Sequence, residues 1–222
     1  MRPARAEIES LLRARKLDVT LTTGPARQPD AADLASTGVP TIDAALGGGF
    51  RRGHLSELVG PRSAGRTSLM CCALAAAAAR GEVVALIDTC DRFDPVSAAD
   101  AGLDLSRLLW VRESGNASRA LRAMSLVLQA GSFGFVAFDL ADVASPALRG
   151  FPFTTWMRLA RVLEGTQTVA VLVAAEHLAR SPGGVTVAFE PHGTSGARWA
   201  GASDRARLLH GIAMTPRVIG GR

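Results

Sequence analysis

Gly60-Pro61-Arg62-Ser63-Ala64-Gly65-Arg66-Thr67 decides the fold of this chain. The octapeptide follows a short β-type run, residues 54–59, and opens an alanine-rich helix over 68–80. Its spacing is G-x-x-x-x-G-[K]-[ST]. In that pattern glycines let successive backbone N–H groups curl round phosphate oxygens, and the helix N-terminus adds positive potential. Gly60, Arg62, Gly65, Arg66, Thr67 and Ser68 are thus candidate nucleotide-binding residues, with the Thr67 hydroxyl available to Mg²⁺. A chance glycine-rich turn is the alternative, and the strand–loop–helix context argues against it. One position departs from the pattern: Arg66 stands where it has lysine. A lysine is a compact point charge that reaches the β- and γ-phosphates, whereas a guanidinium is longer, planar and forked, so the exchange is not conservative. The only lysine, Lys16, lies far from the loop in sequence.

Working outward, apolar runs at 83–87, 108–111, 133–138 and 169–174 alternate with helical spacing at 118–130 and 155–163. The runs are continuous rather than alternating in polarity, and two end in aspartates, Asp88 and Asp139. This is the pattern of an α/β fold: a doubly wound, mostly parallel sheet buried under helices on both faces. Strand-like runs at 185–189 and 207–214, joined by glycine-rich turns, predict antiparallel C-terminal edge strands. Upstream, residues 4–16 carry Ile8, Leu11 and Leu12 on one helical face, 17–21 suit a short strand, and 22–35 read as a Pro/Gly tether. Two parts follow: an N-terminal helical arm and linker, 1–35, and a core, 36–222.

The 222 residues suffice for one such core. The longest apolar run, 69–79, is far shorter than the roughly twenty residues a membrane helix needs, and no apolar signal region follows the first basic residues. Cys71, Cys72 and Cys90 are odd in number and lack metal-ligand spacing, which suits reduced thiols in a cytoplasm. His54, His177, His192 and His210 lack metal spacing too. The net charge of +5 permits nucleic-acid binding, although a GC-rich coding sequence explains the arginine bias as well.

Further motifs bring a resemblance. Ser36-Thr37-Gly38, then Ile42-Asp43-Ala44-Ala45-Leu46-Gly47-Gly48-Gly49 and Gly53, resemble the opening of the RecA core. Leu86-Ile87-Asp88-Thr89-Cys90-Asp91 with Phe93-Asp94-Pro95 resembles its second motif, and Phe135-Val136-Ala137-Phe138-Asp139 its Walker B strand. The likeness covers about residues 36 to 175. A short RecA-like chain with a degraded Walker A is most similar to the ImuA family of bacterial error-prone translesion synthesis.

The resemblance implies Asp139 as a second Mg²⁺ ligand, on a strand expected beside that of the phosphate loop; the alternative is a carboxylate capping the next turn. It implies Asp94 near an adenine, with Ser97 in place of a stacking tyrosine. It also places Cys90 where RecA has the glutamate that activates water. A thiol, mostly neutral near pH 7, is a poor base, so ATP and Mg are expected to bind weakly if at all, with little hydrolysis and no catalytic residue. Two DNA-binding loops are implied at 144–153, with Arg149, Phe151 and Phe153, and at 178–185, with Arg180; core-packed phenylalanines are the alternative for the first. Ile8, Leu11 and Leu12 are candidate partner contacts through docking on a neighbour's sheet or, alternatively, folding back on the same core; Trp199, a surface or edge residue amid arginines and glycines, is a further candidate anchor for a partner.

The expected function is that of an adaptor in DNA-damage-induced (SOS) mutagenesis. Its expected partners are an ImuB-like Y-family protein, an error-prone polymerase, RecA and single-stranded DNA, with self-association through the arm. A slow DNA-dependent ATPase and an inhibitor or cap of RecA filaments are the other readings.

Overall fold

The computed structural model describes residues 30–179, 181, 183–190, 197–201, 203, 205, 208–212 and 216–220. Ile8, Leu11, Leu12, Arg180 and the side chain of Trp199 lie outside them.

The core starts within the stretch read as tether: β1 (Leu34–Ala35) pairs antiparallel with β2 (Phe50–Arg51), and Ala35 and Phe50 are buried. Between them runs α1 (Pro40–Leu46), with proline in its first turn and Gly47 ending it at φ 71°. Asp43 ties this corner together. It accepts the Ser36 hydroxyl at 2.7 Å and both the amide and hydroxyl of Thr37 at 2.7 and 2.8 Å.

Then follow β3 (Leu55–Val59), α2 (Arg66–Ala79), β4 (Val84–Asp88), α3 (Pro95–Asp100), β5 (Leu108–Arg112), α4 (Ala117–Ala130), β6 (Phe135–Asp139), α5 (Ser145–Arg149), α6 (Phe153–Leu163) and β7 (Val169–Ala174). The C-terminal part holds β8 (Val185–Ala188), β9 (Ala197–Ala200), β10 (Leu208–Ile212) and β11 (Arg217–Gly220). The main sheet has the order β11-β8-β3-β7-β6-β4-β5, parallel except for β11.

Both faces are covered, as continuous apolar strands require. On one, α2 lies over β3, β4, β6 and β7, its Ala73 and Ala77 buried beside Leu58, Leu86, Ala137 and Val171. These small residues let helix and sheet approach closely. On the other, Met124 and Leu128 of α4 and Trp156, Leu159 and Leu163 of α6 bury against Ile87, Val136, Phe138 and Leu172. Burying each such large side chain stabilises the fold by about 1.5–3 kcal/mol.

Two expectations are corrected. The antiparallel edge is β11 on β8, whereas β10, within the 207–214 run, pairs with β9 in a separate two-stranded sheet. And β8 itself is parallel to β3, so the connection from β7 to β8 is a crossover. Glu57 holds that crossover. Only 2% exposed, its Oε1 accepts the amides of Leu178 and Ala179 at 2.8 and 2.7 Å, and its Oε2 the hydroxyl of Thr186 at 3.3 Å. Of the segment expected as a second DNA loop, Leu178, Ala179 and Val185 are thereby tied to β3, with Ala179 buried.

A candidate nucleotide site at the carboxyl ends of the strands

The parallel strands β3, β4, β6 and β7 all end at one edge, where crevices of open α/β sheets collect ligands. The phosphate loop leaves β3 there. Gly60 has φ 149°, and a Cβ on it would fall 2.5 Å from the carbonyl oxygen of Phe189, whose own amide donates to Val59 O at 2.7 Å. Only glycine allows that approach. Gly65, at φ 102°, turns the chain into α2 as its N-cap, a conformation other residues rarely adopt. Ala64 is buried, while Thr67 and Ser68 are exposed in the first turn of α2.

Arg66 behaves differently from an exposed phosphate ligand. It is 5% exposed, and its buried Nη1 lacks a hydrogen-bond partner. Burial pulls its pKa down, the charges of Asp139 and Asp142 partly restore it, and Arg62 opposes them. These four groups therefore form one electrostatic cluster. Arg62, otherwise exposed, meets Asp142 at 2.6 Å, and Arg92 approaches the same carboxylate at 3.6 Å.

Asp139 ends β6, which does not neighbour β3 as expected: β7 lies between them. The aspartate still reaches the cluster because the shared strand edge, not adjacency, brings it there. Its Oδ1 accepts the Ala141 amide at 2.9 Å, the turn-capping bond that was the alternative reading. Burial pushes its pKa up to about 6. The Ala141 amide counters this, Asp88 and Asp142 add to it, and Arg66 opposes it.

The second motif is engaged with itself. Asp88, 1% exposed, accepts the amides of Arg92 and Phe93 at 3.0 and 2.8 Å and the indole N–H of Trp110 at 3.3 Å. Asp91 pairs with Arg112 through two 2.8 Å bonds. Cys90, between them, has its thiol pKa raised by burial first and then by Asp142, Asp139 and Asp88. It is neutral at pH 7 and cannot serve as a base. Asp94 caps α3, accepting the amides of Val96 and Ser97 and the Ser97 hydroxyl, so its carboxylate is already used locally.

Glycines, backbone donors and an orphaned buried guanidinium fit phosphate. A divalent cation fits poorly. The Asp142 carboxylate is taken by two arginines, and Asp139 bonds its own turn and sits near Arg66.

In the expected DNA loop, Arg149 is exposed and Phe153 is 54% exposed. Phe151 instead packs edge-on against Trp156 at 6.0 Å, so the core-packed alternative holds for it. Asp142, Arg92 and Glu57 were not anticipated. Glu57 was visible as a lone acid inside an apolar run; Asp142 carried no sequence signal beyond its nearness to Asp139. No described helix is long and apolar enough to cross a membrane.

Residues 18–148 match the family model of the RecA N-terminal domain. Protein RecA of Parasynechococcus marenigrum (strain WH8102) is 36% identical over 114 residues, 51% of this chain and 30% of that protein. Protein RecA of Synechococcus sp. (strain CC9605) gives the same figures, and that of Prochlorococcus marinus (strain MIT 9301) is 35% identical over 114 residues, 31% of its length. The matched stretch thus spans under a third of these relatives.

Proposed function

We propose, given that the chain belongs to the RecA N-terminal domain family, that it is an accessory of DNA repair that holds a nucleotide without turning it over. The carrying observation is Cys90, a half-buried thiol kept neutral by burial and by the surrounding carboxylates. It leaves an attacking water with no general base. Phosphate is gripped by the loop amides, Arg66 and, once released from Asp142, Arg62. The nucleotide then acts as a structural ligand rather than as fuel.

Without a working motor, the chain serves as an adaptor. We assign it to translesion synthesis in the manner of the ImuA family, between an ImuB-like Y-family protein, an error-prone polymerase and RecA. Single-stranded DNA would be gripped through Arg149 and Phe153. Steady-state ATP turnover with and without single-stranded DNA tests the first part. Wild type should stay at background, while Arg66→Lys with Cys90→Glu should raise turnover by about 10²-fold or more. DNA-stimulated turnover by the wild type would establish a motor and end the adaptor reading. Affinity capture from DNA-damaged cells, with residues 1–30 present or removed, tests the partners: a polymerase or RecA should be retained by the full chain.

A further inference from the structure

We propose that the phosphate loop takes a nucleoside polyphosphate without a divalent cation, the buried guanidinium of Arg66 standing in for the metal. The inference rests on the nucleotide-holding reading above.

Three observations carry it. First, Arg66 is only 5% exposed, and its Nη1 is one of two buried side-chain N or O atoms without a hydrogen-bond partner among the described residues. A buried donor held dry is unfavourable until an acceptor arrives. Arg66 directly follows the loop as the first residue of α2, and a phosphate oxygen held by the loop would supply that acceptor.

Second, the carboxylates that would bind a cation are engaged. Asp142 is held by Arg62 at 2.6 Å and Arg92 at 3.6 Å, and Asp139 accepts the Ala141 amide at 2.9 Å. Third, the charges of the cluster are already balanced. Three arginines, 62, 66 and 92, offset three aspartates, 88, 139 and 142, without any metal. Adding a dication would set it against the guanidiniums already in place, of which Arg66 is buried. Adding a polyphosphate instead satisfies them, and guanidinium forks match phosphate oxygens in pairs.

A lysine at this position would be a point charge, leaving the rest of the phosphate charge to a metal. The forked guanidinium spreads its charge over several donors and takes over that part of the work. Arg62, at 77% side-chain exposure, is free to swing from Asp142 to the same anion.

The test is fluorescence anisotropy of N-methylanthraniloyl-ADP titrated with the full chain, once with EDTA and once with millimolar MgCl₂. The two Kd values should agree within about twofold, a difference below 0.5 kcal/mol. Arg66→Met should weaken binding in EDTA by about tenfold or more. Arg66→Lys, which keeps a cation and guards against a folding failure, should bind more tightly with Mg²⁺ than with EDTA. If wild type binds tenfold or more tightly with Mg²⁺, metal-free binding is refuted and the nucleotide reading survives. If it binds in neither buffer, the nucleotide reading itself falls, and this inference with it.

Discussion

Replacing Asp139 with asparagine should make the protein more stable at neutral pH and leave it unchanged in mild acid. In the fold, burial holds this carboxyl at about 6 instead of 3.8. Between those values the folded chain binds a proton that the unfolded chain has released. The stability associated with this group is therefore fully present below about pH 4 and is lost as pH rises through 6. At 1.36 kcal/mol per pH unit, the ionised carboxylate costs the fold about 3 kcal/mol above pH 7. Asparagine resembles the protonated acid in shape and cannot ionise, so Asp139→Asn recovers up to that amount. Arg66 remains buried beside Asp142 in the variant, which keeps its charge partly compensated. Urea unfolding of wild type and variant from pH 4 to 8, in EDTA, measures the effect as a shift in midpoint at constant m. The difference in stability should be near zero at pH 4 and grow to its full size by pH 7. A difference that does not change with pH, or a variant less stable than wild type at pH 8, would refute the reasoning.

The crossover clamp gives a second prediction. Glu57→Ala strands two backbone amides, those of Leu178 and Ala179, and should destabilise the fold by about 2–5 kcal/mol. Glu57→Gln keeps an acceptor and should cost about 1 kcal/mol; thermal unfolding of the two separates them, and equal losses would show that charge rather than acceptance matters. For DNA, Phe153→Ala should lower affinity for a labelled single strand about 5- to 100-fold while leaving the fold intact, whereas Phe151→Ala should lower the melting temperature through its lost contact with Trp156. Arg149→Ala should reduce the slope of log Kd against log salt by about 0.7. No binding at low salt by wild type would remove DNA from the proposal.

Much of the main sheet was legible because fully buried parallel strands write themselves as apolar runs. Val169–Ala174 matches its sequence-read bounds, and the strands at 84–88 and 135–139 lie within one or two residues of theirs. The short helices Pro40–Leu46 and Pro95–Asp100 carry too few residues for a helical period to show, and only their leading prolines marked them. Strand order was not legible: apolarity says that a strand is buried, not between which neighbours, so Asp139 was set one strand too close to the loop. In the site, Arg66 and Cys90 announced themselves by departing from a pattern. The burial of Arg66 and the grip of Asp142 on Arg62 depend on tertiary distances that residue spacing does not encode.

The bond from Phe189 to Val59 and the pairing of β8 with β3 also bear on how the molecule is assembled. Glu57 and Thr186 are 129 positions apart, so joining these strands closes one of the longest loops in the chain. Such non-local closures are entropically late steps. Both neighbours of β3 come late in the chain, so during synthesis β3 should wait unpaired for β7 and β8, and only then can Phe189 close against Gly60. The surroundings of the phosphate-loop motif are thus completed by the C-terminal third of the chain, although nearly all of the recognisable motif residues lie in the first two thirds. Native-state hydrogen exchange should accordingly find the amide of Phe189 opening at lower free energy than those of β6, at the centre of the sheet.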